Sequence, residues 1–239
     1  MISQNLHPLG KESFLKIIGD PCLCVSFSQF GEDTLIAEYL SGKNFIKRPR
    51  IYVDIGAYHP QRFSNTNLLR ILGWRGLNVD PNPDSIKLFE ESRPHDVNLN
   101  FGISSKSGFA ELYCFREGAV NTFDKKVAEN LVKRGWEFLG TRKVPLLPIN
   151  ELLDSYLPDE ARKYGIGFLD IDCEGLDSEI IEGLDIAKFN PLIVSVEADR
   201  FDPLNPLANS VCIKMTHHGY TLGAYVGPTL LFWKINPDL

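Results

Sequence analysis

Short apolar runs that read as strands alternate with amphipathic runs that read as helices along most of this chain, and this rhythm constrains its fold most. IYVDIG, GLNVD, VNLNFGI, IGFLDID and PLIVSVE read as strands, with NTNLLRILG, DSIKLFEES and DSEIIEGL as helices among them. A largely parallel sheet covered by helices on both faces is the arrangement that buries such runs. An opening helix is expected over GEDTLIAEYL, with Ser28 at its cap and Leu35, Ile36, Tyr39 and Leu40 turned inward. Two closing runs, YTLGAYV and PTLLFWKI, meet at Gly227-Pro228 and predict a terminal antiparallel hairpin. The rhythm breaks once, where FAELYCF and RKVPLLP flank the polar, basic stretch NTFDKKVAENLVKRGWEFLG. The expectation is one α/β domain over residues 1–239, carrying an insertion at about 104–148 that serves as a lid or holds substrate.

Composition narrows the function classes. With 31 acidic and 25 basic residues the net charge is −6, which argues against a nucleic-acid partner. No apolar run reaches the roughly 20 residues that span a bilayer, and MISQNLHPLGKESF lacks a secretory pattern, so a cytoplasmic chain without membrane insertion is expected. Five scattered cysteines, Cys22, Cys24, Cys114, Cys173 and Cys212, read as reduced and mostly buried thiols. Cys22 and Cys24, in CLCVSF, read as strand or core filler rather than a ligand pair.

The stretch RIYVDIGAYHP ends the first strand, where an open α/β sheet binds its ligands. Gly56 there would let a ligand approach the backbone, and Asp54 could accept hydrogen bonds from an ammonium or hydroxyl group. A dinucleotide fingerprint needs three glycines, and no second one follows Gly56. Asp80, closing the second strand in NVDPNP, stands where an acid holds a ribose diol; its bland alternative is to cap the helix that begins near Pro83.

YVDIGAYHP, SNT at 64–66, GWRGLNVDPNP, RPHDVNLN and DIDCEG, with SQFGED upstream and NTFD in the insertion, together resemble the FkbM-type methyltransferases. The likeness is co-linear over roughly Phe27 to Trp233. It implies the class I methyltransferase Rossmann-like fold, a seven-stranded, mostly parallel sheet with an antiparallel C-terminal strand. It implies S-adenosylmethionine as cofactor and methyl transfer to a hydroxyl, commonly of a sugar in polysaccharide or natural-product biosynthesis. Carried over by position, Asp54, Gly56 and Ala57 would wall the methionine end and Asp80 would hold the ribose. Asn82, Asn100 and Gly102 would border the adenine, while Gln29 and Glu32 would close over the cofactor. One departure stands out: the family has lysine-x-aspartate before its EG pair, and this chain has Asp170-Ile171-Asp172.

Class I strand order would bring His59, Asp172 and Glu197 together above the sheet. Two arrangements stay open: the three ligate a divalent metal that holds a sugar diol, or His59 or Asp172 alone is a general base. Glu174, Asp177 and Asp199 extend the acidic cluster, and Asp170 reads as a satisfied buried acid. In the insertion, Lys133, Arg134 and Trp136 are the expected substrate contacts, beside Lys125, Lys126, Arg142 and Lys143, which suit the diphosphate of a nucleotide sugar. His217 and His218 read as helix-end residues, and His7 and His95 carry no chemical signal. Trp74 and Trp233 read as packing residues. The expected partner is a sugar or nucleotide sugar, and a homodimer is compatible with the sequence. The competing functions are a dinucleotide-dependent sugar oxidoreductase or epimerase and a catalytically inactive cofactor-binding module.

Overall fold

Every side chain of β1 (Ile51–Ile55) is buried, which requires a sheet covered on both faces. The computed structural model describes residues 24–41, 48–173, 175–198 and 201–235. Within them, α1 (Glu32–Ser41) precedes β1, and α2 (Asn67–Ile71), β2 (Arg75–Val79), α3 (Pro83–Ser92) and β3 (Val97–Leu99) complete the first half. The chain then leaves the main sheet for β4 (Gly102–Ile103), β5 (Gly108–Phe115), α4 (Lys125–Lys133) and β6 (Phe138–Leu147). It returns through α5 (Ile149–Tyr156), α6 (Asp159–Tyr164), β7 (Phe168–Ile171), α7 (Asp177–Gly183), α8 (Ile186–Phe189) and β8 (Ile193–Glu197). It closes with α9 (Ser210–His217), β9 (Tyr220–Val226) and β10 (Thr229–Lys234).

The main sheet has the order β3-β2-β1-β7-β8-β10-β9. Strand β10 runs antiparallel to β8 and β9, while the other pairings are parallel. This is the class I methyltransferase topology, hairpin included. Side chains alternate across β1: Ile51, Val53 and Ile55 join the larger core with α5, α7 and α9, whereas Tyr52 faces a second cluster with Ile36, Leu69, Trp74 and Leu231. Each large side chain fully buried in these layers stabilises the fold by about 1.5–3 kcal/mol.

Some expectations change. VNLNFGI is not one strand, because Asn100 directs its side-chain amide onto the Asp80 and Pro81 carbonyls (2.9 Å each) and the chain switches sheets there. Leu35 is exposed, so α1 buries Ile36 fully and Tyr39 and Leu40 in part. Ser28 caps as expected, accepting from the Asp33 amide at 3.3 Å, and Tyr39 stacks on Trp233 with ring centroids 4.5 Å apart. Cys24 and Val25 are exposed outside any strand, correcting the reading of CLCVSF; Cys114, Cys173 and Cys212 are free thiols. His7, Cys22, Glu174 and Asp199 lie outside the described residues.

Candidate active site

Strand ends of β1, β2 and β7 form the floor of a cavity of about 860 Å³, and the inserted three-stranded sheet, order β4-β6-β5, supplies much of its roof. Asp54, Gly56, Ala57, Asp80, Asp170 and Asp172 line the floor; Asn121, Phe123, Lys125, Val127 and Leu131 line the opposite side.

Gly56 is needed for a reason the sequence did not reveal. Its φ is +85°, and a Cβ there would stand 1.7 Å from the Asp172 carbonyl oxygen. The missing side chain therefore lets β1 and β7 converge, and the Gly56 and Ala57 amides, freed from the β7 side, both donate to the Val79 carbonyl (2.9 and 3.1 Å).

The SNT motif ties the floor together. Thr66 donates its hydroxyl to the Asp54 carboxylate, and Asn65 donates its amide to Asp170 at 3.2 Å. The loop is itself gripped by Arg93, a buried guanidinium that donates to the Ser64 and Thr66 hydroxyls (3.1 and 2.9 Å), Asn78 Oδ1, the Tyr52 hydroxyl and the Pro60 carbonyl. Asp54 and Asp170 are register partners on β1 and β7. Burial, then the neighbouring Asp54, raises the Asp170 carboxyl well above the ordinary range, and burial raises Asp54 against the opposing Thr66 hydrogen bond. Asp170 is thus a buried acid that accepts from Asn65, as the sequence suggested, and its carboxyl resists ionisation.

Asp80 sits at the end of β2 with one oxygen accepting the Tyr58 amide (2.8 Å) and the other the Asn82 amide (2.7 Å). Burial pushes its carboxyl up to about 6 despite those bonds. The cap of α3 belongs to Asn82, whose side chain accepts from Asp84 N at 3.1 Å; neither Asn82 nor Asn100 forms the cavity wall, so both shape its edge by hydrogen bonding instead. Gly102 and Gln29 do line the cavity. Glu32 does not: it is buried, accepting from the Phe30 amide at 2.8 Å and the Thr229 hydroxyl at 3.4 Å.

The convergence of His59, Asp172 and Glu197 is not found. Among the described residues no three His, Cys, Asp or Glu side chains are grouped to hold a metal ion. Tyr58 adopts a left-handed conformation (φ 50°), and His59 Nδ1 accepts the Gln61 and Arg62 amides at 3.1 and 3.0 Å, folding the imidazole into its own turn. Glu197 ends β8 opposite Thr229 and is not part of the wall. Asp172 alone of the three lines the cavity. The expected substrate contacts also move: Lys133, Arg134 and Trp136 are exposed and outside the wall, while α4 turns Val127 and Leu131 toward the cavity and Lys125, at its first position, lines it too.

Sequence reasoning missed Tyr58. It lines the cavity, donates its hydroxyl to Glu117 at the insertion's edge, and is pushed up to about 12 by burial and that carboxylate. Arg62 pairs with Glu117 at 3.1 Å and lies over the Phe63 ring, 4.8 Å from its centroid. The Tyr58 backbone amide also donates to Asp80, so this one tyrosine joins the β2 acid to the insertion. A tyrosine in the first βα loop, beside the Asp-x-Gly, was the available signal.

A family model described as the methyltransferase FkbM domain matches residues 54–222. Among solved structures, the crystal structure of methyltransferase FkbM from Methylobacillus flagellatus KT is similar at 15% identity and TM-score 0.46, covering 84% of this chain and 58% of that one. The precorrin-6y C5,15-methyltransferase of Geobacter metallireducens GS-15 is similar at 18% identity and TM-score 0.37, covering 90% and 95%. No curated protein sequence matches. The family match runs from the acid at the end of the first strand into the terminal hairpin, well over half the sequence, and the chain belongs to the FkbM methyltransferase family.

Proposed function

We propose that this chain transfers a methyl group from S-adenosylmethionine to a sugar hydroxyl. Family membership implies that cofactor, and the residues fit it: a ribose-bearing molecule meets a floor rich in hydrogen-bonding carboxyl groups, with Asp80 buried at the β2 end as diol acceptor. When bound, the cofactor supplies an electrophilic methyl group on a sulfonium.

The observation carrying the reading is one cavity with two unlike sides, an acidic floor and a roof made by the insertion, large enough for cofactor and acceptor together. Asp172 stands at the end of β7, in the wall of that cavity. Its role is to take the proton of the acceptor hydroxyl as the oxygen–carbon bond forms and the sulfur–carbon bond breaks. Tyr58, locked by Glu117, holds the roof against the cofactor side and so fixes the approach. A metal-assisted route has no support from the described side chains.

The test is label transfer from methyl-labelled S-adenosylmethionine to a panel of glycosides and nucleotide sugars, with and without chelator. Label should appear on a sugar oxygen, chelator should leave the rate unchanged, and Asp172→Asn should lower kcat by roughly 10²–10⁴-fold. Label appearing only on nitrogen or carbon acceptors would refute the reading.

A further inference from the structure

A second cavity, of about 340 Å³, adjoins the first and shares Ile103, Phe123 and Leu176 with it. Its far walls are largely apolar: Ala110 and Leu146 come from the inserted sheet, Ile149 from α5 and Ile180 from α7. The Asn150 amide in its wall is already engaged, donating to the Gly183 carbonyl at 2.9 Å and accepting from the Asp185 amide at 3.0 Å. Glu179 is the one ionisable residue lining it, and Ser104 and Ser105 add hydroxyls. Such a wall offers burial to an apolar group and little to a charged one.

The cofactor has no unbranched apolar chain to place there, and its recognition groups are the acids of the main floor. The acceptor lies on the other side, where Leu112, Val127 and Leu131 continue the apolar surface up to the shared Phe123. We propose that the second cavity holds an unbranched apolar chain attached to the acceptor, so that the substrate class is a sugar carrying an alkyl or lipid-like aglycone. This rests on the sugar O-methylation reading. It is favoured over the diphosphate expected of a nucleotide sugar, since Lys125 is the one basic side chain in either wall and apolar side chains line the route between the two cavities.

Gly183 gives a clean way to block the site. It lines the second cavity, closes α7, and a Cβ there would meet no atom within 4 Å. The probes are n-alkyl β-D-glucosides from methyl to octyl, below their micellar concentrations, titrated calorimetrically into protein saturated with S-adenosylhomocysteine. Affinity should rise by up to about fourfold per methylene, the equivalent of about 0.8 kcal/mol, until the cavity is full. Gly183→Phe should flatten the series while Gly183→Ala keeps it, with S-adenosylhomocysteine affinity unchanged in both as proof of folding. A flat series in the native protein, or an undiminished slope in Gly183→Phe, overturns the proposal. Methyl transfer to short glycosides with a flat series would remove the apolar chain and leave sugar methylation standing. A rising series that Gly183→Phe abolishes, with no transfer to any sugar, would do the reverse.

Discussion

The floor and the roof of the cavity are built on opposite principles. On the floor, the carboxylates of Asp54, Asp80 and Asp170 each accept a hydrogen bond from a named partner, and the loop supplying two of those bonds is pinned by buried Arg93. The roof presents Val127, Leu131 and Phe123 inward and keeps Lys133 and Arg134 outside. Residues 104–148 carry 8 basic and 5 acidic side chains, a net of +3, against −9 for the rest of the chain (−6 less +3), yet of those basic side chains Lys125 alone lines the cavity. The floor is specified by a polar network with one solution, the roof by shape and apolar surface. Cofactor recognition should therefore be brittle to substitution, and acceptor recognition graded.

The sharpest way to break that contrast is Arg93→Leu. Removing the guanidinium leaves the Thr66, Tyr52 and Asn78 side chains short of a partner beside buried Asp54, and breaking such a network costs about 3–5 kcal/mol. Chemical denaturation should show this, with cofactor binding lost in parallel. Gly56→Ala follows, with about 1–3 kcal/mol for the left-handed backbone and a Cβ driven against the Asp172 carbonyl. Its diagnostic reading is S-adenosylhomocysteine binding, which should vanish while a folded protein persists.

These floor residues were the most legible in the sequence, and the reason is physical. Strand alternation shows where each strand ends, and an acid or a lone glycine at such an end stands where an open α/β sheet binds ligands, so Asp54, Gly56 and Asp80 could be located without coordinates. The terminal hairpin followed from the same rhythm, whereas the sheet order came from the family resemblance. The direction in which side chains leave a loop is not encoded that way. His59 was expected above the sheet, but left-handed Tyr58 turns the loop so that the imidazole caps its own backbone and the tyrosine faces the cavity. On α4, helical period separates Val127 and Leu131 from Lys126 and Lys133, yet which of the two faces meets the cavity depends on how the inserted sheet docks.

Two milder substitutions sharpen the roof side. Glu117→Gln weakens an ion pair with Arg62 that is half-exposed, so its stability cost should stay below about 1 kcal/mol. Because Glu117 also holds Tyr58, acceptor KM should still rise severalfold while cofactor affinity holds, a split that steady-state kinetics and calorimetry together would register. The smallest effect belongs to Lys133→Ala with Arg134→Ala: both residues are exposed and outside the wall, so acceptor KM and cofactor affinity should change less than about twofold. A tenfold rise in acceptor KM would return the basic insertion to the binding site.

The central claim is that Asp80, at the end of β2, anchors the cofactor. The direct measurement is calorimetric titration of S-adenosylhomocysteine into the native protein and Asp80→Asn at pH 5 and pH 7.5. Asp80 is pushed up to about 6, so near pH 5 the free protein holds its proton, and a diol that needs the ionised acceptor binds better as pH rises through about 6. The native protein should tighten by about tenfold between the two pH values, equivalent to about 1.4 kcal/mol. Asp80→Asn should bind at least roughly tenfold more weakly at pH 7.5 and lose the pH dependence. Equal affinity of the two proteins at pH 7.5 would contradict the account.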